Sequence, residues 1–443
     1  MKTHRFLAQI EAADFAPPYG HVRKVAPGLI EATGPGRPLG QLCEIECRRA
    51  TPGKGGVLAE ITAVDSSGIV LVPLEQQATI ELDAKVVALP AGDCVPVGDS
   101  FAGRAVDALG QPIDGGGAII ATTHLPIGGR VPKPLDRCDP QEVMATGLRA
   151  IDGVLPLARG QRIGIFAASG VGKTSLIEQL SAQVACDHCI LCLVGERGRE
   201  VEAFWRRLSR RDDAERFTIV AATSDESAVL RARSVNFALC LADHWRDEGK
   251  HVVLVMDSVT RLAMALREIG LAAGAPPTVR AYTPNVFAIL PRVVERCGAV
   301  GSGGSITAVI TVLSETDDVD DPVVEVMKSL LDGHIILSRE LAEQSHFPAI
   351  DVARSVSRGA EKLVGPEQAG AMRDAVALLG AYEDARVMIE SGVYKAGTNR
   401  LVDRAIAARD ELGAFLRQPR EENSPIAETV RSLRAITQRF AHG

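Results

Sequence analysis

Residues 164–180 read GIFAASGVGKTSLIEQL: an apolar run, a loop with glycines at 170 and 172, then Lys173, Thr174 and a helical pattern. The run RIGIF (162–166) suits a buried strand, and SLIEQLSAQV (175–184) has the apolar spacing of a helix. Glycines let backbone N–H groups converge on an anion, and a helix N-terminus adds a favourable dipole. The stretch therefore predicts a phosphate cradle over Ser169, Gly170, Val171 and Gly172.

Lys173 at the end of that loop would reach the β- and γ-phosphates, and Thr174 would ligate Mg2+, the division of labour of a P-loop. A nucleoside triphosphate is the expected ligand. Ala167 stands where the usual pattern has its first glycine, which is tolerable if the backbone angle there is ordinary. A second element, KHVVLVMDS (250–258), reads as a strand ending in Asp257, beside Thr174, where its carboxylate would orient Mg2+ or its waters. A strand-terminal aspartate is more often structural; the P-loop upstream gives this one a chemical reading. A third, LCLVGERGREVEAF (191–204), delivers Glu196 and Arg197 at a strand end just before a helix. Hydrolysis needs a carboxylate that polarises the attacking water. On spacing alone Glu196 equally well caps the helix, with Arg197 in an ordinary ion pair.

Working outward, residues 160–350 alternate wholly apolar runs (CILCLVG, FTIVAAT, HVVLVMD, ITAVITVL, GHIILS) with stretches of helical period. Such runs suit parallel strands buried on both faces, with helices as crossovers. Upstream, residues 20–125 carry short runs such as VLAEITAV and GIVLVPL between turn residues, the pattern of a small β-barrel or sandwich. PIGGRVPKPLDRCDP (126–140) reads as a linker, and beyond about 360 three amphipathic helices follow. The expected fold is α/β: a P-loop core with a parallel sheet, preceded by an N-terminal β-barrel and followed by a C-terminal helical domain. The expected boundaries are 1–19, 20–125, 126–358 and 359–443.

The 443 residues are enough for two or three domains. With no uninterrupted apolar run of about 18 residues and no signal peptide in MKTHRFLAQIEAADF, a cytoplasmic location is expected. Nine scattered cysteines argue for reduced thiols, and in CDHCILC (186–192) the apolar neighbours favour core positions over a metal knuckle. A net charge of −7 and 4% aromatic residues argue against a nucleic-acid partner.

These three elements in this order, with PAIDVARSVSR (348–358), resemble the rotary ATPase superfamily of F- and V-type catalytic subunits. GERGREV, GLRAIDG, ARGQRIGIFAASGVGKT and MDSVTRLAMALREIGLAAGAPPTVRAYTPNVFAILPRVVER look most like its flagellar and type III secretion export branch. The resemblance runs from about residue 20 to 418, through VPVGDSFAGRAVDALGQPIDGGG in the barrel region and DGHIILSRELAEQSHFPAID late in the core.

The resemblance implies that Ser169 to Thr174 wrap the phosphates of ATP, with Ser175 beside them, and that Asp257 and Thr174 serve Mg2+. Glu196 becomes the catalytic carboxylate, with Lys173 and Arg197 near the reacting phosphate. Phe347 matches the aromatic position that packs on adenine, and Arg358 the arginine finger that reaches a neighbour's nucleotide. An ordinary salt bridge is the alternative for Arg358. Because Glu196 and Arg358 share one chain, identical subunits could build complete sites at every interface of a homohexamer. Two departures stand out: Ala168 replaces a common glycine, and TS follows the lysine where ST is common. The family also implies a stator-like regulator, a stalk protein, an export gate and chaperone–substrate complexes as partners, with peripheral association at the inner membrane. An ATP synthase catalytic subunit, or a ring subunit that binds nucleotide without turnover, are the alternatives.

Overall fold

The computed structural model describes residues 18–46, 56–75, 79–301, 303–314, 321–359 and 362–440; the helical hint FLAQI lies outside them. Six antiparallel strands open the described chain: β1 (Tyr19–Ala26), β2 (Leu29–Ala32), β3 (Leu42–Ile45), β4 (Val57–Asp65), β5 (Gly68–Pro73) and β6 (Lys85–Ala88). They close into a barrel in the order β1-β2-β5-β4-β3-β6. Alternate residues, among them Ile30, Ala32, Ile45, Ile61, Leu71 and Val86, point inward and fill it.

The barrel closes at Ala88, well short of the sequence-based boundary at 125. β7 (Cys94–Val97), β8 (Ala105–Val106) and β9 (Thr123–Pro126) belong to the next body instead. The two-residue β8 extends the central sheet, and Val95, Val97, Phe101 and Val106 lie in that sheet's core. The region read as a linker supplies β10 (Arg137–Cys138), and a small hairpin of β11 (Val143–Met144) and β12 (Leu157–Ala158) follows.

Strands and helices then alternate: β13 (Arg162–Ala167), α1 (Lys173–Gln183), β14 (His188–Glu196), α2 (Gly198–Leu208), β15 (Phe217–Thr223), α3 (Ala228–Asp247) and β16 (His251–Asp257). Next come α4 (Val259–Ala272), α5 (Pro284–Arg296), β17 (Gly298–Val300), β18 (Ser305–Leu313), α6 (Pro322–Leu330), β19 (Gly333–Leu337), α7 (Arg339–Glu343) and β20 (Ile350–Ser357). The sheet runs β20-β19-β13-β18-β16-β14-β15-β8, with β17 and β10 on a branch from β18. Along that main order every pairing is parallel except β19 with β20.

The continuous apolar runs follow from burial on both faces. In β14, Leu191 and Leu193 face one core with α1 and the C-terminal helices; Ile190, Cys192 and Val194 face the other with α3, α4 and α5. Cys189 and Cys192 are buried strand residues, as the apolar neighbours implied. The helices α8 (Pro366–Glu390), α9 (Arg400–Leu416) and α10 (Ile426–Arg439) pack on the first core through Ala375, Leu378, Leu412, Phe415 and Leu433. Barrel and core meet at Arg233 of α3, which is buried, pairs with Glu60 at 2.9 Å and donates to the Gly40 and Gly92 carbonyls. No helix among the described residues is long and apolar enough to cross a membrane.

Candidate active site at the phosphate loop

β13 ends at Ala167 and α1 begins at Lys173, so residues 168–172 form the loop at the carboxyl end of the sheet. Ala167 lies within β13, and Ala168 is absent from the positive-φ positions, so neither alanine meets a backbone that demands glycine. Gly170 and Gly172 do adopt positive φ, 82° and 92°. Gly172 caps α1 without a side chain, so no side-chain oxygen satisfies the first amides of the helix. Those N–H groups are free to bind an anion.

Gly172 is required for a second reason. A Cβ there would come within 3.2 Å of the Phe347 ring, which lies against the loop and is 45% exposed. Gly172→Ala is therefore expected to cost about 1–2 kcal/mol of backbone strain and to push the ring aside. Thermal unfolding should show the loss of stability, and ATP titration a weaker affinity.

Three charged side chains converge beside the loop. Lys173 Nζ bonds Asp257 Oδ1 and lies 3.8 Å from Glu196 Oε1. The parallel register explains the meeting: β14 and β16 are neighbours, with Leu193 opposite Asp257, so both strands deliver their terminal carboxylates to one edge. Asp257 and Glu196 are 2% and 5% exposed. Burial, and secondarily the Asp257 charge, push the Glu196 carboxyl up to about 7, while Lys173 and Arg261 pull it down. Such a group sits at the threshold between proton donor and acceptor at neutral pH.

Arg261 and Thr311 complete the cluster, and the sequence reading missed both. Arg261 Nε lies 3.1 Å from Glu196 Oε1 as an ion pair without hydrogen-bond alignment, and its Nη2 donates to Oε2 at 3.5 Å. Thr311 donates from Oγ1 to Asp257 Oδ1 at 2.7 Å, holding that carboxylate from the neighbouring strand β18. A signal for each existed: Arg261 stands one helical turn after Asp257 behind the Ser258 cap, and Thr311 is the last polar residue of β18, between Ile310 and Val312.

The remaining expected residues divide. Ser169 and Gly170 are exposed at the loop's tip, Val171 is buried beneath it, and Thr174 and Ser175 lie half-buried in the first turn of α1. Arg197 is exposed at the N-cap of α2. Arg358 is not brought to this loop. β20 runs antiparallel to β19, so Ser357 pairs with Gly333, which pairs in turn with Ile163 at the start of β13. The Arg358 amide donates to Asp332 O at that same amino end. The strand from Ile163 to Ala167 alone separates the ends by roughly 13 Å at about 3.3 Å per residue. The exposed Arg358 guanidinium forms no ion pair among the described residues.

Comparison with known proteins identifies the family. Residues 147–357 match the ATP synthase alpha/beta family, nucleotide-binding domain, and residues 364–435 match the T3SS EscN ATPase C-terminal domain. The chain is 39% identical to the flagellum-specific ATP synthase of Bacillus subtilis, covering 99% of each. It is 40% identical to the type 3 secretion system ATPase of Xanthomonas euvesicatoria, over 95% of this chain and 94% of that one. Among solved structures it is similar to the assembled ATPase EscN of the enteropathogenic E. coli type III secretion system. There the TM-score is 0.88 at 36% identity, covering 94% of this chain and 100% of that one. The same ATPase in complex with its central stalk EscO superposes with a TM-score of 0.85 at 35% identity, with the same coverage. The β-barrel, the parallel-sheet core with its phosphate loop and the C-terminal helices thus place this chain in the family of flagellar and type III secretion ATPases.

Proposed function

We propose that this chain hydrolyses ATP at the interfaces between identical subunits of a ring, and that hydrolysis drives protein export through a flagellar or type III secretion apparatus. The observation that carries the reading is the meeting of Lys173, Glu196 and Asp257 beside a glycine loop whose helix amides lack a cap.

Each residue has a task that its position allows. The loop amides and Lys173 take the phosphates, and Lys173 exchanges its bond to Asp257 for one to phosphate oxygen. Phe347, on the Gly172 side of the loop, offers a ring face to the base. Thr174 and Asp257, a hydroxyl and a buried carboxylate, are hard oxygen donors that fit Mg2+. When bound, that ion neutralises charge on the terminal phosphates. Glu196, once Lys173 moves away, orients a water and accepts its proton. Arg261 steadies Glu196, and Arg197 at the nearby helix start stands ready for phosphate charge.

Arg358 lies at the opposite end of the sheet from its own loop, so its service as an arginine finger requires a second copy of the chain. By likeness to EscN and its stalk, a stalk partner is proposed as well, and the exposed Val387, Met388 and Val393 where α8 turns into α9 offer it an apolar surface. The test is ATP turnover per subunit across a wide range of protein concentrations. A steep cooperative rise is expected; a flat, negligible rate throughout would count against it.

A further inference from the structure

Residues 417–425, between α9 and α10, lie as a strap across the phosphate-loop helix. Gln179 and Gln183 of α1 donate to the carbonyls of Pro419 at 3.2 Å and Glu422 at 2.9 Å. On the strap's other side Gln418 donates its backbone N–H to Phe347 O at 2.9 Å. The Gln418 side chain spans Gly147 O at 2.7 Å and Arg149 N at 2.8 Å. Arg149 binds back to the Phe415 carbonyl and pairs with Glu422. The strap is thus fixed on both sides of Arg420, whose Nη2 rests on Ser175 Oγ in the first turn of α1.

That placement of the exposed Arg420 side chain is electrostatically unfavourable, though water screens it. A helix N-terminus carries positive partial charge, which repels a guanidinium. The first turn of α1 holds no acidic residue, and Arg420 has no carboxylate partner among the described residues. Lys173, by contrast, is neutralised by Asp257 and Glu196. A cation held by its flanks against a positive helix end is arranged for an anion. Two residues away, Gln418 holds Phe347, the ring at the base end of the site, and the phosphate nearest a nucleotide's base is its α-phosphate.

We propose that Arg420 is a further nucleotide-binding residue that meets the α-phosphate beside Ser175. The inference rests on the nucleotide-site reading above. It also gives nucleotide occupancy a direct grip on the C-terminal helices, because the strap joins α9 to α10.

The test is titration calorimetry of the full chain with ATP and with GTP, comparing Arg420→Ala, Arg420→Lys and Lys173→Ala. Arg420→Ala should weaken both nucleotides by the same factor, about tenfold for one charge-assisted contact. Arg420→Lys should recover part of the loss, and in turnover assays KM should rise with kcat unchanged. A purely structural strap residue would not respond to the lysine replacement in this way. Lys173-dependent binding that Arg420→Ala leaves intact overturns the Arg420 role alone. A loss confined to ATP overturns it too, because it would mark a contact to the base. Binding that survives Lys173→Ala unchanged overturns the site reading and this inference together.

Discussion

Replacing Arg358 with alanine is expected to lower ATP turnover by about 10³-fold or more, the range of arginine fingers, with little change in the ATP affinity of the dispersed chain. Arg358 follows β20 at the amino end of β13, and the phosphate loop lies at the carboxyl end. Arg358 therefore touches no nucleotide bound by its own subunit, and dispersed chains bind ATP without it. In the proposed ring the same side chain would meet phosphoryl charge as that charge develops, which raises kcat rather than ground-state affinity. Single-turnover assays beside equilibrium titration separate the two. An affinity loss as large as the rate loss in dispersed protein would place Arg358 in its own site and contradict the geometry.

Glu196→Gln is expected to lower kcat by about 10²–10⁴-fold, the usual worth of a positioned general base. Glutamine keeps the size and the hydrogen bonds but cannot accept the water's proton. The pH dependence carries the same sign. Burial and the Asp257 carboxylate raise the Glu196 carboxyl to about 7, so below that value it is protonated in the free enzyme and cannot act as a base. kcat/KM should therefore fall as pH drops through about 7, and the Glu196→Gln variant should lose this acid limb. An acid limb that persists in the variant would assign it to another group.

How far the sequence foretold these features depended on the range of the interactions involved. The core strands were legible because burial on both faces demands unbroken apolar runs such as HVVLVMD, and the loop because glycine, lysine and threonine stand at fixed spacing between strand and helix. The end of the barrel was not: β8 is two residues long, and its partner β15 lies over a hundred residues downstream, where Ala105 pairs with Ile219. Local pattern carries no trace of such a pairing. Phe347 lies beside Gly172 of the loop, and Asp257 bonds Lys173 at its end. Arg261, Thr311 and Arg420 escaped notice because each acts through a partner far along the chain, at Glu196, Asp257 and Ser175 respectively. Arg420 was the hardest to foresee, since it lies in an irregular connection with no period of its own.

Mixing Glu196→Gln subunits with Arg358→Ala subunits is the most direct test of sites shared between copies. Each variant alone should be nearly inactive. In a randomly mixed ring of equal parts, about a quarter of the interfaces join an intact Glu196 to an intact Arg358, as the symmetry of a head-to-tail ring requires. ATP hydrolysis by the mixture should therefore rise well above that of either variant. A mixture no more active than its components would contradict the sharing of each site between neighbouring subunits.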